Sequence, residues 1–318
     1  MASSGNRVSG RLVDRIALGV STRDRPELLQ RCLAPALQDI AAAGYTVVVA
    51  DQSTDGETER LLRALPGVGY LRTAPGTSRG RNAVVAATTT PLIAFTDDDV
   101  SIADGPRWLE TMAASFDASD DVGAVCGRAV TPAGRLLPGT PPGIHRWPTN
   151  PFGLGSALNM AVARPALEAV GGFDEDLGGG ARIPAAEDTD LLYRVLRAGW
   201  VVVSTDDATV VHDDWRSGRQ EIRLHFGYGF GAGAQTAKYA AAGDRAATRL
   251  ALREAGRHAV SFAREAAHLR FRSAALQPPF VLGLALGYAR NRRRAAAVER
   301  SDPPPGAVTP PRRPDRGA

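Results

Sequence analysis

Pro91-Leu92-Ile93-Ala94-Phe95-Thr96-Asp97-Asp98-Asp99 sets the reading of this chain. A short apolar run, fit for a buried strand, ends in three adjacent carboxylates. Ionised side by side, such groups repel one another. A divalent cation would relieve that repulsion. Mg²⁺ or Mn²⁺ suits carboxylate oxygens and also bridges phosphate oxygens. In open α/β sheets, ligands bind beyond the carboxyl ends of the strands, and the trio falls at such an end. Taken alone, the stretch also reads as a solvated acidic turn.

Upstream, the same pattern repeats. Ser78 to Thr88 reads as a helix, Val68 to Leu71 as a strand, and Asp55 as the N-cap of a helix to Leu65. Tyr45 to Ala50 is a strand ending at Asp51. Ile16 to Val20 is an apolar run ending in Ser21-Thr22-Arg23-Asp24-Arg25, and Pro26 opens a helix to about Ala43. Strands and helices at this spacing predict βαβ units in an α/β fold. The sheet is expected to be doubly wound, mostly parallel and flanked by helices, with a helical C-terminal extension.

Downstream the pattern loosens. Val122 to Cys126 and Trp200 to Ser204 read as strands, Thr209 to Val211 as strand-like, and Thr131 to Pro151 as a long Pro/Gly-rich loop. Glu187 to Ala198 has helical spacing, with Leu191, Leu192, Val195 and Leu196 on one face. After Glu221 the chain turns to Ala- and Arg-rich helix. The expected division is a flexible N-terminus (1–14), a catalytic α/β domain (15–220), a helical region (221–300) and a disordered tail (301–318).

Several polar groups fall at strand or helix ends. Thr22 and Arg25 follow the first strand. Asp51 ends the second and could accept hydrogen bonds from a base or ribose. Ser78-Arg79-Gly80-Arg81-Asn82 opens a helix, and a helix N-terminus with arginines suits a pyrophosphate. Glu187 and Asp188 open another helix, where carboxylates favour the dipole or serve as a general base for an attacking hydroxyl. His212 is a candidate third ligand beside the acidic trio.

Composition excludes other classes. With 318 residues, 44% hydrophobic and a net charge of +4, the chain can bury a sizeable core. Lys238 is the sole lysine, so the basic charge is arginine. There is no zinc spacing, RNP motif or basic-aromatic stripe, so nucleic acid is not an expected partner. Cys32 and Cys126 form no CxxC pattern. The polar Met1 to Gly10 has no secretory signal, which predicts a cytoplasmic protein. The apolar Pro278 to Ala289 is too short to span a bilayer comfortably. Flanked by Arg264, Arg270, Arg272 and Arg290 to Arg294, it reads as a packing helix or as a peripheral contact of residues 264–294 with the inner face of the cell membrane.

In order and spacing, these residues resemble glycosyltransferase family 2, over about Ile16 to Trp215. Val20-Ser-Thr-Arg-Asp-Arg25, Val49-Ala-Asp51-Gln-Ser-Thr-Asp55-Gly56 and Ser78 to Asn82 resemble its nucleotide-contacting stretches. Asp97-Asp98-Asp99 is similar to its DxD metal motif. Gly171-Gly172-Phe173-Asp174-Glu175 followed by Glu187-Asp188 resembles its acceptor-side signature. The resemblance implies a GT-A fold and an inverting transfer from a nucleoside-diphosphate sugar to a glycan, lipid-linked or small-molecule acceptor, in polysaccharide or glycoconjugate biosynthesis. It implies Asp188 as catalytic base with Glu187 beside it. Thr22, Arg25, Asp51, Arg79, Asn82, Asp97 and Asp98 would contact the nucleotide-sugar. Asp97, Asp99 and His212 would hold Mn²⁺ or Mg²⁺. A non-catalytic sugar-nucleotide or glycan binder would have little need of Asp188. A nucleotidyltransferase would carry glycines after the first strand, where Val20 to Pro26 has none. A dinucleotide oxidoreductase would carry GxGxxG there.

Overall fold

The computed structural model describes residues 11–137, 139–213 and 217–301. The first half alternates as α1 (Leu12–Arg15), β1 (Ile16–Thr22), α2 (Pro26–Cys32), α3 (Ala34–Ala42), β2 (Val47–Asp51), α4 (Glu57–Arg63), β3 (Val68–Arg72), α5 (Thr77–Ala87) and β4 (Leu92–Asp97). Then come β5 (Val100–Ser101), α6 (Gly105–Ser115), β6 (Val122–Val130), β7 (Gly143–His145), β8 (Asn159–Ala163), α7 (Arg164–Val170), α8 (Glu187–Arg197) and β9 (Val201–His212). Helices α9 (Arg219–Ala241), α10 (Arg245–Ala267), α11 (Phe271–Ala275) and α12 (Gln277–Ser301) follow. Residues 1–10 and 302–318, which hold most of the two expected flexible ends, lie outside the described residues. Leu12 and Val13 pack on the core through α1.

One sheet runs β3-β2-β1-β4-β8-β6-β9-β5, with β7 added on β9. The half β3-β2-β1-β4 is parallel throughout. Beyond it the sheet is mixed: β8 is antiparallel to β4 and β6, and β6 is parallel to β9. Ile16 to Val20 is buried at every residue, as a parallel strand covered on both faces must be. The doubly wound α/β sheet expected from the sequence is therefore present, with its second half reversed in places by β8, β5 and β7.

Three local departures have physical causes. The helix expected over Pro26 to Ala43 breaks at Leu33 (φ −110°), because Pro35 sits in the first turn of α3 and has no N–H to continue the ladder. The two strand segments before His212 are one strand, β9, which keeps its pairing to β6 through register shifts. The stretch Thr131 to Pro151 is not all loop: β7 pairs antiparallel with Val202 to Ser204 of β9.

The apolar Pro278 to Ala289 packs as a helix on α9. Gly229 and Gly233 of α9 face Gly283 and Gly287 of α12, and a Cβ at any of the four would strike the other helix's backbone. Glycine at four-residue spacing on both partners lets the two backbones touch. Among the described residues, no helix is long and apolar enough to cross a membrane.

Candidate active site

The parallel half-sheet sets the site. Its register places Thr22 beside Asp51 and Ser21 beside Asp97, so three strand ends open on one side. The chain then turns through Asp98 and Asp99. Thr22 Oγ1 donates to Asp98 Oδ2 at 2.7 Å, and the Arg25 guanidinium donates to Asp98 Oδ1 at 3.1 Å. Burial pushes Asp98 above the usual carboxylate range, with Arg25 opposing and Asp99 adding to the rise.

His212 reaches this corner through the sheet. Val100 of β5 pairs with His212 of β9, and the Asp213 N–H donates to the Asp99 carbonyl at 2.8 Å. His212 Nε2 lies 3.4 Å from Asp99 Oδ1. Asp214 and Trp215 lie outside the described residues.

The second wall of the site enters on α8. Ala186 precedes the helix at φ 80°, a left-handed conformation that costs an L-residue about 1 kcal/mol. Gly231 of α9 lies against this turn, where a Cβ would meet the Ala185 backbone and the Ala186 side chain. The turn starts α8 at Glu187 and Asp188. Deeper in α8, Asp190 is wholly buried, bonded to Arg194 (2.7 Å) and to Tyr239 of α9 (2.5 Å). Lys238 of α9 bonds Asp174 at 2.7 Å. The C-terminal helices thus brace the loop and helix that carry the carboxylates.

Arg81 joins the two sides. Its side chain is 3% exposed, and it donates to Asp188 Oδ1 at 2.7 Å, Glu187 Oε1 at 3.2 Å and Asp97 Oδ1 at 3.1 Å. Phe173 lies 5.4 Å from the guanidinium. Burial alone would lower the Arg81 pKa; Asp188, Asp97 and Glu187 outweigh it and hold the group protonated. Burial raises Asp97 to about 6, against the pull of Arg81 and with the push of Asp99, Asp188 and Asp98. Burial and then Asp188 raise Glu187 to about 7, with Arg81 opposing.

Thr22, Arg25, Asp97, Asp98, Asp99, Glu187, Asp188 and His212 line one cleft of about 750 Å³. Asp51, Arg79 and Asn82 do not line it. Asp51 is fully buried, bonded to the Ser53 N–H, Tyr70 Oη and Arg72. Asn82 clamps Phe173 through its N–H and carbonyl, and Arg79 pairs with Glu175 at 3.1 Å. Gln52 lines the cleft beside Asp51's strand end, held by Ser21 and by both polar groups of the Gly76 backbone.

Sequence reasoning named Arg81 only as part of a motif. The signal was there: Ser78, Arg81 and Val84 recur at three-residue spacing on the buried face of α5. Gly80 makes that face fit, since a Cβ there would meet Gln52 and Ser21.

The donor set fits a divalent cation by its chemistry. Asp97, Asp99 and His212 supply carboxylate oxygens and an imidazole on one wall; burial lifts Asp97 and Asp98, and the neighbouring carboxylates add a push of the kind a cation relieves. Among the described residues, no three His, Cys, Asp or Glu side chains already converge as a metal cage. Asp97 turns to Arg81 while Asp99 faces His212.

Residues 18–153 match the family model "Glycosyl transferase family 2". Two solved structures share the fold. One is the mannosyltransferase PcManGT from Pyrobaculum calidifontis in complex with GDP-Man and Mn2+, at 19% identity over 90% of this chain and 86% of that one, TM-score 0.52. The other is S. aureus TarS 1–349, at 15% identity over 90% and 91%, TM-score 0.51. No curated protein matches the chain. Residues 18–153 are thus similar to glycosyl transferase family 2, in a chain that shares the fold of these two structures.

Proposed function

We propose that this protein is an inverting glycosyltransferase that moves a sugar from a nucleoside-diphosphate sugar to an acceptor hydroxyl. The observation that carries the reading is Arg81. One buried guanidinium ties a carboxylate at the strand end (Asp97) to the pair opening α8 (Glu187 and Asp188), so both halves of a displacement reaction face one cleft. The family match supports glycosyl transfer, and the GDP-Man and Mn2+ of the mannosyltransferase of like fold support the donor class and a metal. Residues 15–220 would form the catalytic unit, with 221–300 as its helical brace.

In this reading the diphosphate lies along the Thr22–Arg25 turn and the acidic trio. Arg25 keeps 37% of its side chain exposed, so it can follow the charge of the leaving group. Asp97, Asp99 and His212 would hold Mn²⁺ or Mg²⁺. When bound, the cation supplies neutralisation of the diphosphate's negative charge. Asp188 accepts the proton of the acceptor hydroxyl. That oxygen bonds to the anomeric carbon from the face opposite the diphosphate, as the bond to the diphosphate oxygen breaks and the nucleoside diphosphate leaves with the electron pair. One displacement inverts the anomeric centre. Glu187, raised to about 7, sits one residue away to steer the hydroxyl.

The test is nucleoside-diphosphate release from UDP-, dTDP- and GDP-sugars, with water standing in for the acceptor. Release from one donor with Mn²⁺ or Mg²⁺, abolished by EDTA, is expected. No release and no metal-dependent nucleotide binding from any of them would end the reading.

A further inference from the structure

The reaction cleft does not stop at its polar wall. Pro184, Leu224 and Tyr228 line both it and a neighbouring hollow of about 540 Å³. Phe226 and Phe230 add aromatic surface to that hollow, and Gln220, Arg223 and Arg290 are its polar lining. Phe226 and Arg223 also line a third hollow of about 500 Å³ at the start of α12. The three form a continuous track along the first turns of α9, polar at the catalytic end and apolar beyond.

The track is built, not incidental. The glycine seam draws α12 onto α9, and the ridge left beside it is apolar. Tyr228 stays 47% exposed and Leu282 56%, a cost in water that a bound hydrocarbon would remove. Among the described residues, the charges lining the 540 Å³ hollow are Arg223 and Arg290. Both are exposed, and neither has an acidic partner within ion-pair distance among the described residues. Two cations beside an apolar floor complement an anionic head on a hydrocarbon tail.

We infer that the acceptor is a lipid-phosphate-linked molecule. Its hydrocarbon chain lies on the α9 track, its phosphate sits between Arg223 and Arg290, and its accepting hydroxyl passes Tyr228 and Pro184 toward Asp188. This rests on the transferase reading and names the acceptor class for it. The transfer balances as before: the lipid-linked hydroxyl gives its proton to Asp188, its oxygen takes the anomeric carbon, and the nucleoside diphosphate departs.

The experiment titrates farnesyl phosphate into the full chain by calorimetry, below its micelle concentration. Farnesol and inorganic phosphate serve as separate arms. The wild type is compared with Arg223→Ala/Arg290→Ala and with Phe226→Ala, each checked for an unchanged circular dichroism spectrum. Expected are saturable binding of farnesyl phosphate, at least tenfold weaker binding in the double variant and in Phe226→Ala, and no binding of phosphate alone. Donor hydrolysis without acceptor stays at the wild-type rate in both variants. Farnesyl phosphate that fails to bind the wild type, or binds all three forms alike, overturns the inference. So does a protein that sediments with anionic phospholipid vesicles yet ignores farnesyl phosphate, because the track would then be a membrane contact. Donor hydrolysis without farnesyl phosphate binding sinks this inference alone. Farnesyl phosphate binding with neither hydrolysis nor metal-dependent binding of any donor sinks the transferase reading and the acceptor role with it, leaving the track as a lipid-phosphate site.

Discussion

The strand ends of the parallel half-sheet gather charge, whereas the seam between α9 and α12 is built from glycine. At the strand ends, Arg25 and Arg81 are spent on five carboxylates from two segments of chain, Asp97 to Asp99 and Glu187 to Asp188. Along α9 and α12, backbone meets backbone through glycine, with no ion pair in the seam among the described residues. The first region is organised by electrostatic need, since a buried charge without a partner is costly. The second is organised by shape, since close packing is lost with a single misplaced methyl group. The difference predicts opposite responses to substitution.

The largest effect belongs to Arg81. Arg81→Met would strand Asp97, Glu187 and Asp188 without their shared cation. Breaking a buried pair this way costs about 3–5 kcal/mol. Asp97 keeps 35% of its side chain exposed, which places the expected loss near the lower end. Urea unfolding measures it, and an unchanged midpoint would remove Arg81 from the centre of the cleft's electrostatics.

The seam responds to volume. Gly283→Ala sets a Cβ against the Phe226 carbonyl and the Phe230 N–H, so a destabilisation of about 1–3 kcal/mol is expected. Gly256 in α10 has open space around its Cβ position, so Gly256→Ala is expected to stabilise by about 0.8 kcal/mol through helix propensity alone. Thermal denaturation of the pair gives the contrast directly. Shifts of the same sign would mean that the seam is looser than drawn.

The smallest effect is in pH. The native state holds Glu187 at about 7 and Asp97 at about 6, above their ordinary values of 4.5 and 3.8. Between ordinary and raised values the folded chain binds more protons than the unfolded one. Stability from these two groups is therefore highest below about pH 4 and declines as pH rises through 6 to 7. Unfolding in EDTA at pH 5 and pH 7.5 reads the slope, and Glu187→Gln should flatten it. A slope unaltered by that substitution would assign it to other groups.

The charged region was largely legible in the sequence, because strand ends are punctuated by polar residues that leave a signature in one dimension. Asp97 to Asp99, Thr22, Arg25, Glu187, Asp188 and His212 all reach the cleft. Asp51 reads the same way but is sealed by Tyr70 and Arg72 from β3, and only pairing of the two strands reveals it. Asn82 and Arg79 are turned by the helix toward the Gly172–Glu175 loop, an angular fact that motif spacing does not carry. The glycine seam was legible only as composition. Gly229, Gly233, Gly283 and Gly287 gain their meaning when two glycine pairs 54 residues apart in sequence lie together. The Pro35 break and the β7 strand depend likewise on a missing donor and a distant partner.

The most direct test of the central claim is turnover of the donor found by the panel, wild type against Asp188→Asn. The account predicts a fall in kcat of about 10²–10⁴-fold with little change in donor KM, because Asp188 acts on the attacking oxygen and not on the bound nucleotide. A variant that turns over as fast as the wild type would contradict it.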